Sequence, residues 1–241
     1  MTQPTANSCL ILVCTYNERE NLPTLFHAIR EVCPKLDILV VDDHSPDRTA
    51  DWVREQMQSD PTIHLIERSG KLGLGTAIST GMQFAIDQGY CWLINLDGDL
   101  SHDPAVIPQL LSKQDQYDLV IGSRYVSGGG LEGCSWRRIA VSRLANQLAR
   151  SMVGWSIRDC SSAYRLYRVE LLKQIGLSNL KESGYGFLEE ILAYLIKYGA
   201  KVTEVPIVYR ERRLGQSKIS LQEARSAFSA LLKASRIYRS K

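Results

Sequence analysis

The sequence contains no apolar run long enough to cross a membrane. Its 241 residues are 44% hydrophobic and 23% charged, which is ordinary for a globular protein. No stretch approaches the roughly 18 to 20 apolar residues of a spanning helix. The opening MTQPTANS also lacks the basic start and apolar block of a signal peptide. We therefore expect a cytosolic protein, with a chain long enough for one domain and short for two.

Paired cysteines are also missing. The six cysteines are scattered without a CxxC pair, and the four histidines do not cluster with them. This spacing predicts buried thiols in a reducing compartment rather than a disulfide or zinc framework. The cysteines are Cys9, Cys14, Cys33, Cys91, Cys134 and Cys160.

Acidic residues are scarce at the end of the chain. Residues 207–241 hold nine Lys or Arg against two Glu, so this segment carries +7 and the first 206 residues carry −4 of the net +3. Residues 221–241 have apolar positions with the spacing of one helix face, which predicts a basic amphipathic helix. Such a helix could dock on the core, lie on an anionic bilayer or pair with a separate membrane subunit.

Short apolar runs alternate with helical patterns through the first half of the chain. This alternation predicts an α/β fold with a mostly parallel sheet and helices on both faces. The predicted strands are 9–14, 37–41, 63–67, 91–96 and 118–122, and the predicted helices are 21–33, 46–57 and 74–87. Further on, we predict a helix over 184–199 that ends at Gly199 and a strand within 200–212.

Polar clusters follow three of these strands. TYNE (15–18), DDHSPD (42–47) and DGD (97–99) stand where the strands end. In open parallel sheets, ligands bind beyond the carboxyl ends of the strands. The three clusters should therefore line one edge of the sheet and form the functional site.

A glycine-rich stretch, GKLGLGTA (70–77), offers a different function. It resembles a dinucleotide-binding loop, but Ile78 stands where GxGxxG needs its third glycine, and the stretch follows the third strand rather than the first. A tight turn explains these glycines well enough. A dehydrogenase is the weaker interpretation.

Asp97 and Asp99 flank Gly98 at the end of the fourth strand. A plain turn would account for Asp and Gly here. Two carboxylates this close raise each other's pKa unless a cation lies between them, and Gly98 permits the bend that would aim both at one ion. Hard oxygen ligands suit Mg²⁺ or Mn²⁺, which are usually shared with substrate phosphates.

The motifs occur together, in one order, over about residues 10–220. They are CTYNERENLP, VVDDHSPDRTAD, GLGTA, LDGDLSHDP, GSRY, EVPIVYRER and GQSK. In this order they resemble the polyprenol-phosphate sugar transferases, the dolichol-phosphate mannose synthase group of inverting glycosyltransferases with the GT-A fold. DLSHDP, GSRY and RLGQSK narrow the resemblance to the lipid-phosphate branch.

The resemblance implies a role for each matching residue. Cys14, Tyr16, Glu18, Val41 and Asp43 would hold the nucleoside. Asp97, Gly98 and Asp99 would bind the metal and the donor diphosphate, with Ser101 completing the metal's shell. Arg124 would contact phosphate, and Arg212 and Lys218 would close over the donor. Arg138, with Arg137 beside it, would receive the acceptor's phosphate.

The resemblance further implies a single catalytic domain over residues 1–220, a Mg²⁺ or Mn²⁺ cofactor, and an enzyme on the cytoplasmic face of a membrane. Its partners would be GDP-mannose and a polyprenyl or dolichyl phosphate, with no nucleic acid. Departures from the family pattern surround the sugar and acceptor, and they leave the sugar open. They are Cys14, Arg48, Ser162, Ala163, Tyr164 and Leu188.

Three alternatives stay open at this stage. The donor could be UDP-glucose or another sugar nucleotide, such as one carrying aminoarabinose. The chain could be a non-catalytic nucleotide-sugar binder, although its complete set of phosphate-binding residues argues against this. The acceptor could be a soluble hydroxyl compound, with Glu189 or Glu190 as general base. A phosphate acceptor, already ionised near neutral pH, would need no strong base.

Overall fold

The computed structural model describes residues 8–153, 156–180, 182, 184 and 186–211. Nine strands occur among these residues: β1 (Cys9–Thr15), β2 (Asp37–Asp42), β3 (Ile63–Glu67), β4 (Trp92–Asp97), β5 (Leu119–Ser123), β6 (Gly130–Glu132), β7 (Arg165–Arg168), β8 (Val202–Pro206) and β9 (Val208–Arg210). Seven α-helices accompany them: α1 (Leu22–Val32), α2 (Thr49–Ser59), α3 (Leu74–Gln88), α4 (Ile107–Leu111), α5 (Trp136–Val153), α6 (Val169–Ile175) and α7 (Phe187–Lys197).

The main sheet has seven strands in the order β3-β2-β1-β4-β7-β5-β8, and all neighbours pair in parallel except β7. A separate pair, β6 and β9, is also parallel. The predicted α/β fold with a mostly parallel sheet is thus confirmed. Among the described residues, no helix combines the length and apolar character needed to cross a bilayer.

Alternate residues of β1 enter two different cores, as the period of a strand requires. Leu10 and Leu12 pack with α3 and α7, while Ile11 and Val13 pack with α1, α2 and α4. Both faces of β1 are therefore buried under helices, which explains its unbroken apolar sequence. The carboxyl edge of the sheet is left for polar groups.

The sequence prediction missed β7, a four-residue strand that begins and ends with arginine. It runs antiparallel between β4 and β5, with Arg165 opposite both Asn95 and Ile121. Because β7 is reversed, the residues just before it lie at the carboxyl edge of its neighbours. Residues 159–164 therefore join the polar clusters.

The helix predicted over 184–199 is shorter in the structure, where α7 spans Phe187–Lys197, and two further predicted bounds were wrong. Helix α2 begins at Thr49 and not at Pro46, since the Asp47 carboxylate accepts hydrogen bonds from the Thr49 backbone and hydroxyl and caps the helix from outside it. The predicted strand in 200–212 is two strands, because β8 pairs with β5 whereas β9 pairs with β6. The predicted C-terminal helix, 221–241, lies outside the described residues.

Candidate active site

The strands bring the predicted site residues to one edge. Cys14 of β1 lies opposite Val41 of β2 on one side and Asp97 of β4 on the other. Burial raises the pKa of the Cys14 thiol, so this group stays neutral beside Asp97. The ends of β1, β2 and β4 therefore lie side by side at one edge of the sheet, as the order of the strands predicted.

Tyr16 and Glu18, expected at the nucleoside, have different environments. Tyr16 is 37% exposed, and the Lys71 Nζ lies 4.0 Å from its ring centroid, a cation–π contact. Glu18 is buried and accepts a 2.6 Å hydrogen bond from Asn21, while its backbone N–H donates to Thr49. Tyr16 thus offers an open aromatic face, and Glu18 braces the loop after β1.

Asp43 builds the neighbouring loop. Its carboxylate forms a buried ion pair with Arg68 and also accepts from the backbone N–H of Leu72 at 3.2 Å. Arg68 in turn donates to the Gly73 carbonyl, where the backbone has a φ of +103° that favours glycine. The glycine-rich stretch is therefore a turn fastened by Asp43 and Arg68. Arg68 was not predicted at the site, because nothing in the sequence around it marks its pairing with Asp43.

The DGD turn carries oxygen ligands of the kind that Mg²⁺ and Mn²⁺ prefer. Asp97 keeps a quarter of its side chain exposed, whereas Asp99 is buried and accepts from the Ser101 backbone N–H at 3.0 Å. The buried Ser101 hydroxyl oxygen has no hydrogen-bond partner. A Cβ at Gly98 would come within 3.3 Å of methyl groups of Thr15 and Val13, so glycine lets the turn approach β1 closely.

These residues fit a divalent cation, although they do not form a complete cage. The described part of the chain holds no group of three or more His, Cys, Asp or Glu side chains able to bind a metal. Two carboxylates and an orphaned hydroxyl match the usual Mg²⁺ site, in which waters and substrate phosphates supply the other ligands. The chemistry of the donor set therefore agrees with the predicted cofactor.

His102 supports the turn from below. Its Nδ1 accepts the backbone N–H of Asp97 at 3.2 Å, and its ring stacks on Tyr164 at 5.0 Å and meets Tyr209 edge-on at 5.8 Å. Burial lowers its pKa, which outweighs the opposing pull of Asp97 and Asp99. A neutral, enclosed imidazole positions the turn and carries no charge to the substrate.

Arg124 forms a two-pronged ion pair with Asp159. Its Nε and Nη2 donate to the two carboxylate oxygens at 2.7 and 2.6 Å, and Nη2 also donates to Ser161 at 2.7 Å. Asp159 has no exposed side-chain surface. Arg124 lowers the pKa of that carboxyl, and Asp159 raises the pKa of the guanidinium, in each case against the effect of burial. One edge of the Arg124 guanidinium, which is predicted to contact phosphate, is thus occupied by Asp159.

A cavity of about 420 Å³ adjoins this ion pair. Its walls come from the loop after β5, from α5 and from the segment before β7, and among the described residues they include no acidic side chain. The lining residues are Arg124, Tyr125, Val126, Gly129, Arg143, Asn146, Gln147, Arg150 and Arg158. The buried Nε of Arg150 has no hydrogen-bond partner. Four of the lining residues are arginines, which makes this space, the arginine cavity, suited to an anion.

The sequence analysis did not single out Arg143, Arg150 or Arg158, because these residues meet only through the fold. It named Arg137 and Arg138, which lie at the start of α5, but the structure does not describe their side chains. Arg212 and Lys218 lie outside the described residues. Their roles stay predictions.

Glu189 and Glu190, the bases considered for a hydroxyl acceptor, are both buried in the first turn of α7. Burial raises the pKa of Glu189 to about 7, and its Oε2 has no hydrogen-bond partner. Glu190 accepts the backbone N–H of Glu182 at 2.9 Å. Neither residue lines the arginine cavity.

Comparison with known proteins identifies the family. The family described as glycosyl transferase family 2 matches residues 10–176. The polyprenol monophosphomannose synthase of Mycolicibacterium smegmatis is 42% identical over 220 residues, which are 90% of this chain and 83% of that protein. The undecaprenyl-phosphate mannosyltransferase of Micrococcus luteus is 39% identical over 211 residues, covering 88% and 87%. The chain belongs to glycosyl transferase family 2.

A solved structure shares the fold of this family 2 glycosyltransferase. The glucosyl-3-phosphoglycerate synthase of Mycobacterium tuberculosis, crystallised with Mn²⁺, uridine diphosphate and phosphoglyceric acid, matches with a TM-score of 0.69 and 17% identity. The match covers 95% of this chain and 79% of that one. The predicted GT-A fold is thus confirmed, and at this identity the likeness carries no more than the fold.

The Arg124–Asp159 pair predicts a large loss of stability when one partner is removed. Asp159→Asn should lower the free energy of unfolding by roughly 3–5 kcal/mol near pH 7, because Arg124, whose side chain is only 14% exposed, would lose the buried carboxylate that balances its charge. The folded pKa of Asp159 is depressed, so its contribution is present above the unfolded value of about 4 and is lost as pH falls through the folded value. Urea unfolding at several pH values measures this.

The matched control is Asp51→Asn. Asp51 lies in the first turn of α2, where its carboxylate forms exposed ion pairs with Arg48 and Arg54, so its removal should change the free energy of unfolding little. An equal effect of both substitutions would contradict the importance of the buried pair.

Glu189 predicts the opposite pH dependence. Its folded pKa, about 7, is above the ordinary glutamate value of 4.5, so the wild-type protein loses stability as pH rises between the two. Glu189→Gln should therefore leave the free energy of unfolding unchanged near pH 4 and increase it by roughly 3–4 kcal/mol at pH 8, at about 1.4 kcal/mol per pKa unit. Thermal or urea unfolding across this range tests the sign. Glu170→Gln, at an exposed glutamate of α6, controls for removal of a charge, and parallel curves for wild type and Glu189→Gln would refute the prediction.

Proposed function

We propose that this glycosyltransferase moves a mannosyl group from GDP-mannose to the phosphate of a polyprenyl or dolichyl lipid, with inversion at the anomeric carbon. The names of the two relatives, a polyprenol monophosphomannose synthase and an undecaprenyl-phosphate mannosyltransferase, support the sugar and the acceptor class. The share of each chain covered, above four-fifths in both cases, makes their activity a fair guide to this one.

The observation that carries the proposal is the arginine cavity, which lies beside the carboxyl edge of the sheet. A hydroxyl acceptor needs a carboxylate base facing it, and the described walls of this cavity contain none. A phosphate acceptor needs cations, and four arginines supply them. The cavity's chemistry thus favours an anionic acceptor over a neutral one.

The reaction requires little proton transfer. A phosphate monoester has its second pKa near 6, so the acceptor is largely a dianion at neutral pH. One of its oxygens would form the new bond to the anomeric carbon from the face opposite the donor diphosphate. The bond to that diphosphate breaks, and its electron pair leaves with the nucleoside diphosphate. The chain's task is to hold two anions close together.

On the acceptor side, this task falls to the arginines. Arg143, Arg150 and Arg158 would surround the lipid phosphate, and Arg138 is proposed to join them from the start of α5. Arg124, fixed in orientation by Asp159, would stand between acceptor and donor. Its guanidinium is anchored and pays little entropy on binding, which suits a group that must offset charge in the transition state.

On the donor side, Asp97 and Asp99 would hold Mg²⁺ or Mn²⁺, and Ser101 offers its orphaned hydroxyl. When bound, the ion supplies positive charge to the departing diphosphate. Tyr16 would pack against the nucleoside, in a pocket whose walls include Cys14 and Val41. Glu18 and Asp43 would act mainly by fixing the two loops that shape this pocket. Arg212 and Lys218 are proposed to close over the donor.

UDP-glucose is the second candidate donor, because nothing in the described site reads the base through a side chain specific to guanine. A non-catalytic binder is disfavoured, since its function would not require an acceptor cavity. We also propose that the enzyme works peripherally on the cytoplasmic face of a membrane, where its lipid acceptor would be.

A transfer assay tests the function. Purified protein is incubated with short-chain polyprenyl phosphate in detergent and with labelled GDP-mannose or UDP-glucose, and the product is extracted into organic solvent. We expect label in the lipid phase from GDP-mannose alone, and EDTA should abolish it. Asp99→Asn should lower turnover by at least about a hundredfold, because a bound cation contributes several kcal/mol to such a transition state.

Asp115→Asn, at an exposed aspartate away from the turn, is the control and should leave turnover unchanged. Label from UDP-glucose alone would correct the donor. No label from any sugar nucleotide would end the lipid-phosphate hypothesis, and full activity of Asp99→Asn would refute the role of that carboxylate.

The cavity makes a separate prediction about the acceptor. Arg150→Gln should raise the KM for polyprenyl phosphate by roughly tenfold or more, since hydrogen bonds to charged groups contribute about 1.5–3 kcal/mol. The KM for the sugar nucleotide should stay near its wild-type value. Steady-state kinetics with each substrate varied in turn measures both, and a rise confined to the donor KM would place the acceptor elsewhere.

A further inference from the structure

The outer face of α5 exposes large apolar side chains. Trp136 is 73% exposed and Leu144 is 58% exposed, and Ala140 lies between them at helical spacing. Residues four positions apart share one face of a helix. Arg143 and Gln147 are exposed beside them, so this outer face combines an apolar stripe with a basic edge.

The inner face of α5 fixes the helix against the active site. Asn146 is buried, accepts the Cys160 backbone N–H at 2.8 Å and contacts Ser161, the residue to which Arg124 donates. Ser142 shares a 2.6 Å hydrogen bond with Tyr125. These contacts set which way the outer face points, so it has a defined orientation relative to the arginine cavity.

The charge of α5 has one sign. Its sequence contains four arginines and no acidic residue. Two of them, Arg143 and Arg150, line the cavity. A basic helix with tryptophan and leucine on one face is the composition of helices that lie in the plane of a bilayer surface.

We propose that the outer face of α5, through Trp136 and Leu144, docks on the surface of an anionic lipid bilayer. The charge complementarity of the arginines with anionic headgroups commits the face to a membrane rather than to a second copy of this basic helix, which it would repel. The purpose of this docking rests on the proposed function. It would hold the mouth of the arginine cavity at the level of lipid headgroups, where the phosphate of a polyprenyl lipid is found.

This surface differs from the amphipathic helix predicted for residues 221–241. The two make opposite predictions for substitutions in α5 and therefore can be separated. If only the C-terminal segment contacts lipid, the apolar residues of α5 should have no effect on membrane binding.

The test uses the full chain and vesicles of phosphatidylcholine containing about one-third phosphatidylglycerol. Trp136→Ser and Leu144→Ser should each weaken sedimentation with these vesicles by about tenfold, the effect of withdrawing one large apolar side chain from a lipid interface. Brominated lipids should quench part of the wild-type tryptophan fluorescence, and Trp136→Ser should lose that part. Binding should fall sharply in pure phosphatidylcholine and in high salt.

Tyr198→Ser is the matched control. Tyr198 is a half-exposed aromatic residue just after α7, near the start of β8 and so at the opposite edge of the sheet from the cavity. Its substitution should leave vesicle binding unchanged. Circular dichroism and urea unfolding would establish that all three variants fold.

Vesicle binding by both Trp136→Ser and Leu144→Ser at the wild-type level would overturn the proposal. A wild-type chain that does not bind anionic vesicles would also overturn it. The transfer assay in detergent separates this result from the proposed function. Trp136→Ser and Leu144→Ser should keep wild-type turnover there, because no bilayer is involved. A chain that binds vesicles through α5 but transfers no sugar would uphold the docking surface and refute the lipid-phosphate reaction.

Discussion

The geometry of the site depends on the buried pair between Arg124 and Asp159. Asp159 reaches the carboxyl edge only because β7 runs antiparallel to its neighbours, and Glu204 of β8 holds it there by accepting the backbone N–H groups of residues 158 and 159. Arg124 follows β5 and meets this carboxylate with both prongs of its guanidinium. The pair thus connects β5, β7 and β8 at the boundary between the carboxyl edge of the sheet and the arginine cavity.

A second buried arginine, Arg165, interacts with the Asp159 carboxylate of this pair. Arg165 has no exposed surface, and its guanidinium donates to the carbonyls of residues 160, 162 and 188. Asp159 and Glu189 are the carboxyls whose pKa values Arg165 lowers. Burial raises the pKa of Glu189 to about 7, so this carboxyl is only partly ionised near neutral pH. Arg165 therefore lies between an ionised carboxylate, Asp159, and a carboxyl that is partly protonated, Glu189.

The parts of this protein that local sequence encodes were predictable, and those that depend on distant pairing were not. The buried strands and the convergence of TYNE, DDHSPD and DGD follow from apolar runs and from the rule for parallel sheets. The resemblance to lipid-phosphate transferases marked Arg124, but no motif marked Asp159, 35 residues away. Arg68 and Asp43 are 25 residues apart, and the cavity draws its arginines from three segments. The reversed strand β7, invisible to hydrophobic periodicity, brings Asp159 to Arg124, whereas the pairing of β2 with β3 brings Asp43 to Arg68.

The absence of a carboxylate from the described cavity walls also bears on a competing reaction, hydrolysis of the donor. Water attacking the anomeric carbon needs a base, whereas an ionised phosphate does not. Glu189 is the nearby acid with a pKa close to neutrality, and it is enclosed in the first turn of α7, outside the cavity lining. Cavity walls that supply cations and, among the described residues, no base would thus leave the sugar nucleotide intact until an anionic acceptor arrives. Selectivity for the acceptor would then come from charge rather than from a tight fit, which suits a lipid whose headgroup is a bare phosphate.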